Sequence, residues 1–141
     1  MAAEDTTECT QAAERYLQRF GWPCTAYGFA VWTLAGQAFD ALDVPAATGS
    51  TVLATLRRDT GHPLDVIEIP GESNRWRFLV QPQRHTPSAL LAELSRYGAT
   101  YLTNTDRIEL PPTRVEAGEL RWLRPPIGRL PALHTIIVAL P

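Results

Sequence analysis

The chain contains no lysine; every one of its 13 basic residues is arginine. That absence excludes a Schiff-base lysine, a cofactor aldimine and the lysine of a phosphate-binding loop. Cysteine is nearly as scarce. Cys9 and Cys24, the two present, are too few and too irregularly spaced for a disulfide framework or a Cys-rich zinc site, and read as reduced thiols. No apolar run approaches the roughly 20 residues of a membrane span. The N-terminus, MAAEDTTECT, is acidic where a secretory leader would carry an apolar core. These absences point to the cytoplasm and away from a membrane partner, and no cofactor or metal is expected.

What is present is ordinary for a folded protein. Of 141 residues, 45% are apolar and 20% charged, which suits one domain over residues 1–141 with 1–9 as a flexible N-terminus. The formal charge of -2 conceals an asymmetry. Residues 1–60 carry seven acids against four arginines, whereas residues 75–129 carry nine arginines against five acids. A basic second half fits an acidic partner, nucleic acid included, or simply a solvated arginine face.

Periodicity then orders the elements. In TQAAERYLQRFGWP, Ala13, Tyr16, Leu17 and Phe20 share a helical face, with Thr10 as cap and Gly21 at the left-handed end. TAYGFAVWTLAG reads as a strand turning at Ala35 and Gly36 into FDALDV, as a hairpin. AATGSTVLATLRRDTG is a helix striped by Val52, Leu53 and Leu56 and closed by Gly61. DVIEIP and RWRFLVQP are strands split by the turn GESN. TPSALLAELSRYG is a helix capped by Thr86, with Pro87 in its first turn and Leu90, Leu91 and Leu94 inward. TYLTNTDRIELPP reads as a hairpin around Asn104, Thr105 and Asp106, and GELRWLRPP as a further strand. The tail LPALHTIIVALP is ambiguous between strand and helix. Helices interleaved with hairpins give an α+β class, a mostly antiparallel sheet with helices packed on it.

The order of these landmarks (FGWP, FDALDVP, RWRFLVQP, ELPPTRV and LRWLRPP) resembles small actinobacterial proteins related to the N-terminal domain of the bifunctional DNA primase/polymerase. The resemblance implies a primase/polymerase-like fold and an Asp-x-Asp pair holding divalent metals for phosphoryl transfer. It also implies a histidine near the nucleotide phosphates and a third acid. Asp43 stands at the first acid of the pair, but Pro45 replaces the second. Asp40 lies at an odd offset from Asp43, so on a strand the two point to opposite faces. Trp76 falls where the histidine would be, and Ala99, Thr100 and Tyr101 where the third acid would be. Asp43 is therefore read as a vestige, and polymerase activity as lost, because a lone carboxylate cannot order a divalent cation.

Other constellations carry less. His62, His85 and His134 lack the spacing of a zinc site, and two of them adjoin turns. Ser50, Ser73, Ser88 and Ser95 have no nucleophile-elbow context, and Asp65, Glu68 and Glu72 pair at no recognisable spacing. The segments with most binding character are RWRF and RWLR. Alternation places Trp76 and Trp122 inward and Arg75, Arg77 and Arg121 outward; Arg124 is read as outward with them, and the four are free to meet phosphate or an acidic protein. Three readings follow. The first is an inactive primase/polymerase-like domain binding single-stranded nucleic acid, a nucleotide or a protein in an accessory role. The second is a protein-interaction module, self-associating or not, without nucleic acid. The third is a small enzyme of unrelated chemistry.

Overall fold

A computed structural model describes residues 2–59, 61 and 64–141, with side chains from residue 7 onward. Four helices and three antiparallel sheets form an α+β fold in which every strand pair is antiparallel among the described residues. The opening helix α1 runs Ala2–Phe20, starting well before Thr10. It ends where Gly21 turns left-handed (φ 72°) and donates its N–H to the Leu17 carbonyl at 2.9 Å, a cap only glycine enters without strain. Its buried face is Cys9, Ala12 and Tyr16, while Leu17 stays 55% exposed. The apolar stripe is thus rotated from the expected one, toward small residues that let the helix lie close to the sheet.

Strands β1 (Thr25–Tyr27) and β2 (Ala30–Leu34) are one hairpin, broken at Gly28 (φ 60°) rather than continuous. The chain does turn at Ala35 and Gly36, but β3 (Asp40–Pro45) enters a different sheet and does not pair with β2. Helix α2 (Ala46–Asp59) buries Gly49, Val52 and Leu56 and ends at Gly61 (φ 65°). Strands β4 (Val66–Ile69) and β5 (Arg75–Val80) pair across the GESN turn, with Ile69 opposite Arg75.

Helix α3 (Ser88–Ser95) starts after Pro87, with no side-chain cap, so Thr86 does not cap it. Of its leucines, only Leu94 is buried. Strands β6 (Thr100–Leu102) and β7 (Arg107–Glu109) flank a turn with left-handed Asn104 and Thr105, but they part to separate sheets instead of forming a hairpin. β8 (Arg114–Val115) and β9 (Gly118–Glu119) make a small ribbon, β10 (Arg121–Trp122) follows, and the tail resolves as a short helix, α4 (Leu133–Ile137).

The central sheet has the order β10-β4-β5-β3-β6 and is covered on both faces. Leu42, Val44, Phe78 and Val80 point to one side, where they meet Val52 and Leu56 of α2, Leu94 of α3, and Leu133 and Ile136 of α4. The alternate residues Ala41, Ile67 and Leu79 point to the other side, against α1 and the sheet β1-β2-β7. Period-two alternation thus feeds two apolar cores, one on each side of the central sheet. One buried side chain locks the second core. The Thr113 hydroxyl accepts from the Val31 N–H at 2.9 Å and donates to the Val31 carbonyl at 3.0 Å, beside the Leu110 N–H that bonds the same carbonyl at 2.9 Å.

Candidate functional site

Asp43 sits in mid-strand, directly opposite Arg77 of β5. Arg77 Nε donates to Asp43 Oδ1 at 2.7 Å, and a terminal guanidinium nitrogen donates to Oδ2 at 2.9 Å. The other terminal nitrogen donates to the Glu109 carbonyl of β7 at 2.8 Å, which bridges the central sheet to the smaller one. Both residues are buried. A planar guanidinium matches both carboxylate oxygens at once, so the pair is the strong, bidentate kind. Arg75 attends the same residue from outside, donating to the Asp43 carbonyl at 3.1 Å and the Gly98 carbonyl at 2.8 Å.

This arrangement corrects the outward placement of Arg77. Alternation does put Arg75 and Arg77 on one face, but β5 lies inside a sheet covered on both sides. The face expected to be wet is roofed by α1 and β1-β2-β7. Trp76 goes to the other face, half-buried, with its ring against Gly49 of α2. The remaining arginines occupy different settings. Arg121 is exposed on the edge strand β10 and reaches Glu68, its cross-strand partner, at 3.6 Å. Arg124 is exposed in the loop after β10. The four arginines therefore share no single environment.

Asp40 is on the opposite face from Asp43 and fully buried. Its Oδ2 accepts from the Tyr101 hydroxyl at 2.5 Å, the Gln83 N–H at 3.0 Å and the Thr103 hydroxyl at 3.2 Å. Burial, then the bond to Asp40, pushes the Tyr101 phenol above its ordinary range. With one acid ion-paired and the other sealed on the far face, the two carboxylates do not converge. Among the described residues no cluster of three metal-ligating side chains exists; His85 and His134 are exposed, and His62 lies outside those residues.

A different feature has the character of a binding site. A groove of about 270 Å³ opens beside α1. Its floor is Tyr16, Phe20 and Trp122. Behind that floor lies Trp22, buried, with ring centroids 5.7 Å from Tyr16, 4.4 Å from Phe20 and 6.2 Å from Trp122. The Tyr16 hydroxyl donates to the Pro111 carbonyl at 2.5 Å and accepts from Trp122 Nε1 at 3.0 Å, joining α1, the double proline and β10. Burial raises this phenol too, above its ordinary range. Pro111 and Pro112 form one wall and Pro126 the other.

Asp65 holds the second wall. Its buried carboxylate accepts the Ile127 N–H at 2.9 Å and the Gly128 N–H at 2.8 Å, immediately after Pro126. Desolvation raises the Asp65 carboxyl above its ordinary range, and the two amide bonds act against that shift. The Phe20 ring closes on Gly128, where an added Cβ would lie 2.8 Å from Phe20 Cδ1. Arg15 and Arg19, both exposed, stand at the groove's rim, with the Arg19 guanidinium carbon 5.3 Å from the Phe20 centroid.

Sequence reasoning missed this groove, although its signals were in view. Arg15 and Arg19 fall at i, i+4 on one helix face. The Trp of FGWP serves as a landmark and the double proline as the end of a hairpin, and neither points to a groove from the sequence. Comparison of the chain with protein-family models, curated proteins and solved structures finds no match in any of the three.

Proposed function

We propose that this chain is a catalytically inactive primase/polymerase-like domain that acts by binding nucleic acid or a nucleotide in an accessory role. The observation that supports this reading is the Asp43–Arg77 fork. The carboxylate at the first metal-ligand position of the resembled motif is neutralised by a guanidinium on both oxygens. A divalent cation would have to displace Arg77 and then find further oxygen ligands, where this chain offers Pro45. The ion pair ties strand to strand, so the residue has exchanged a metal-holding role for a structural one. The test is primer extension on a primed template with Mg²⁺ or Mn²⁺. The reading expects no product, and template-dependent product abolished by Asp43→Asn would overturn it.

A second reading, a self-associating interaction module, draws on the β1–β2 hairpin tip. There Tyr27 is 81% exposed and Phe29 43% exposed, on either side of Gly28. Sedimentation over a hundredfold concentration range separates the two: a monomer throughout leaves the binding domain, and assembly lost in Tyr27→Ser favours the module.

A further inference from the structure

The groove beside α1 carries its own inference, which rests on the binding-domain reading and names the site and ligand chemistry within it. We propose that it takes a nucleobase with an attached phosphate, the base against the floor of Tyr16, Phe20 and Trp122 and the phosphate on Arg15 and Arg19. Four observations converge on that occupant.

The floor is aromatic, with the Trp122 ring set edge-on to Tyr16 at 71°, so a base stacks on one ring and not on a shared plane. Its three rings lean on one buried ring, Trp22, which fixes their positions before a ligand arrives. Stacking on such rings is sequence-tolerant and contributes substantially to single-strand binding. The floor offers few hydrogen bonds of its own, because the Tyr16 hydroxyl and Trp122 N–H already satisfy each other and Pro111. A proline-rich peptide needs donors for its carbonyls as well as aromatic ridges, and here the Trp donor is spent. A planar ring that uses its π-face does not require it.

The charge lies at one end. Arg15 and Arg19 have no acidic partner among the described residues, and the Arg19 guanidinium lies over the Phe20 ring, its carbon 5.3 Å from the centroid. Two guanidiniums one helical turn apart suit a phosphate's oxygens. Glu8, the acid on this groove, lies two turns back along α1, about 10 Å away along the axis. The phosphate is therefore directed to the Arg19 end. The size agrees as well. About 270 Å³ is less than the roughly 300–1,000 Å³ that encloses a whole drug-sized ligand, so one ring enters and the remainder lies across the rim.

The experiment is fluorescence anisotropy of a short labelled single strand titrated with the full chain, in wild type, in Arg15→Ala/Arg19→Ala and in Arg121→Ala/Arg124→Ala. All four arginines are exposed, so both double variants should fold, and circular dichroism checks that they do. One neutralised phosphate gives a log–log salt slope of about -0.7, or roughly two- to threefold weaker binding between about 50 and 200 mM salt. The Arg15/Arg19 variant should lose that increment and bind at least tenfold more weakly at low salt. The Arg121/Arg124 variant should stay within about twofold of wild type. Trp122→Leu, assayed for binding and for melting, tests the stacking floor separately.

Competition identifies the source of the ligand. A purine nucleoside monophosphate that matches the strand's affinity marks a nucleotide site, and one that competes weakly marks a strand site; both uphold the proposal. Inorganic phosphate competing equally well would overturn it, because charge alone would then suffice. A proline-rich peptide that displaces the strand would overturn it too. If the strand binds and Arg15→Ala/Arg19→Ala changes nothing, the groove is wrong while the binding-domain reading survives. If no strand or nucleotide binds at low salt, that reading itself fails.

Discussion

Asp43 and Arg77 face each other across β3 and β5 and close a two-bond fork, at 2.7 and 2.9 Å, that solvent barely reaches. The third arm of the guanidinium, on the Glu109 carbonyl, makes this pair the junction between two sheets. Burying two charges costs about as much as their attraction returns, so the pair is worth little against an apolar replacement but much against a half-removed one. Arg77→Ala should therefore cost about 3–5 kcal/mol, measured by urea unfolding, and Asp43→Ala a similar amount. The double variant Asp43→Leu/Arg77→Met should cost less than either single change. Additive losses would show that the two side chains act independently.

Asp65 gives a pH dependence with a definite sign. Burial raises its carboxyl above the ordinary value of 3.8, so the folded protein holds this proton at a pH where the unfolded chain has released it. Its stabilising contribution is fully present below 3.8 and is lost as pH rises through the folded value. Asp65→Asn cannot titrate. Wild type should consequently compare better with this variant near pH 4 than at about pH 7, in urea titrations at each pH. A stability difference that is flat with pH would contradict the account.

Tyr16 is the knot of the groove. Tyr16→Phe keeps the ring and its contact with Trp22 but leaves the buried Pro111 carbonyl without its donor. The expected loss is about 1–3 kcal/mol, toward the lower end because Trp122 Nε1, beside the open groove, can turn to water. Burial also holds the Tyr16 and Tyr101 phenols above their ordinary value of 10.0. In an alkaline absorbance titration, Tyr16→Phe and Tyr101→Phe should each remove one late-ionising phenol. Loss of an early one would place the residue at the surface.

Gly49 tests how closely α2 lies on the sheet. Alanine is worth about 1 kcal/mol over glycine inside a helix. Here, however, its Cβ would fall 2.8 Å from Trp76 Cε3 and 3.0 Å from Trp76 Cβ. Part of that obstacle is the root of the side chain, which a rotamer change cannot remove. Gly49→Ala should thus be destabilising overall, by about 1–3 kcal/mol of overpacking, with an altered tryptophan emission from the displaced Trp76. A rise in melting temperature would mean that helix propensity wins.

What the sequence disclosed followed from local chemistry. The GESN turn, the left-handed Gly21 and Gly61, and the Val52/Leu56 stripe all depend on neighbours a few residues away, and each is found where spacing placed it. Thr10 and Thr86 fail locally as helix caps, but the larger misreadings are nonlocal. β2 takes β7 as its partner, Trp32 opposite Glu109, and no spacing within FAVWTLAG names a strand so distant in the chain. Alternation correctly separated Asp40 from Asp43 and Trp76 from its arginines. It could not tell which face of β5 would be covered, and that error put Arg77 outside. The groove was illegible for the same reason. Arg15, Pro111 and Trp122 meet only after both sheets have formed.

The most direct test of the binding-domain account is anisotropy of a labelled single strand titrated with wild-type protein, in Mg²⁺ and in EDTA, at about 50 and 200 mM salt. With Asp43 committed to Arg77, the account predicts binding that weakens with salt and is the same in Mg²⁺ and EDTA. Absence of binding at low salt, or binding that requires Mg²⁺, would contradict it.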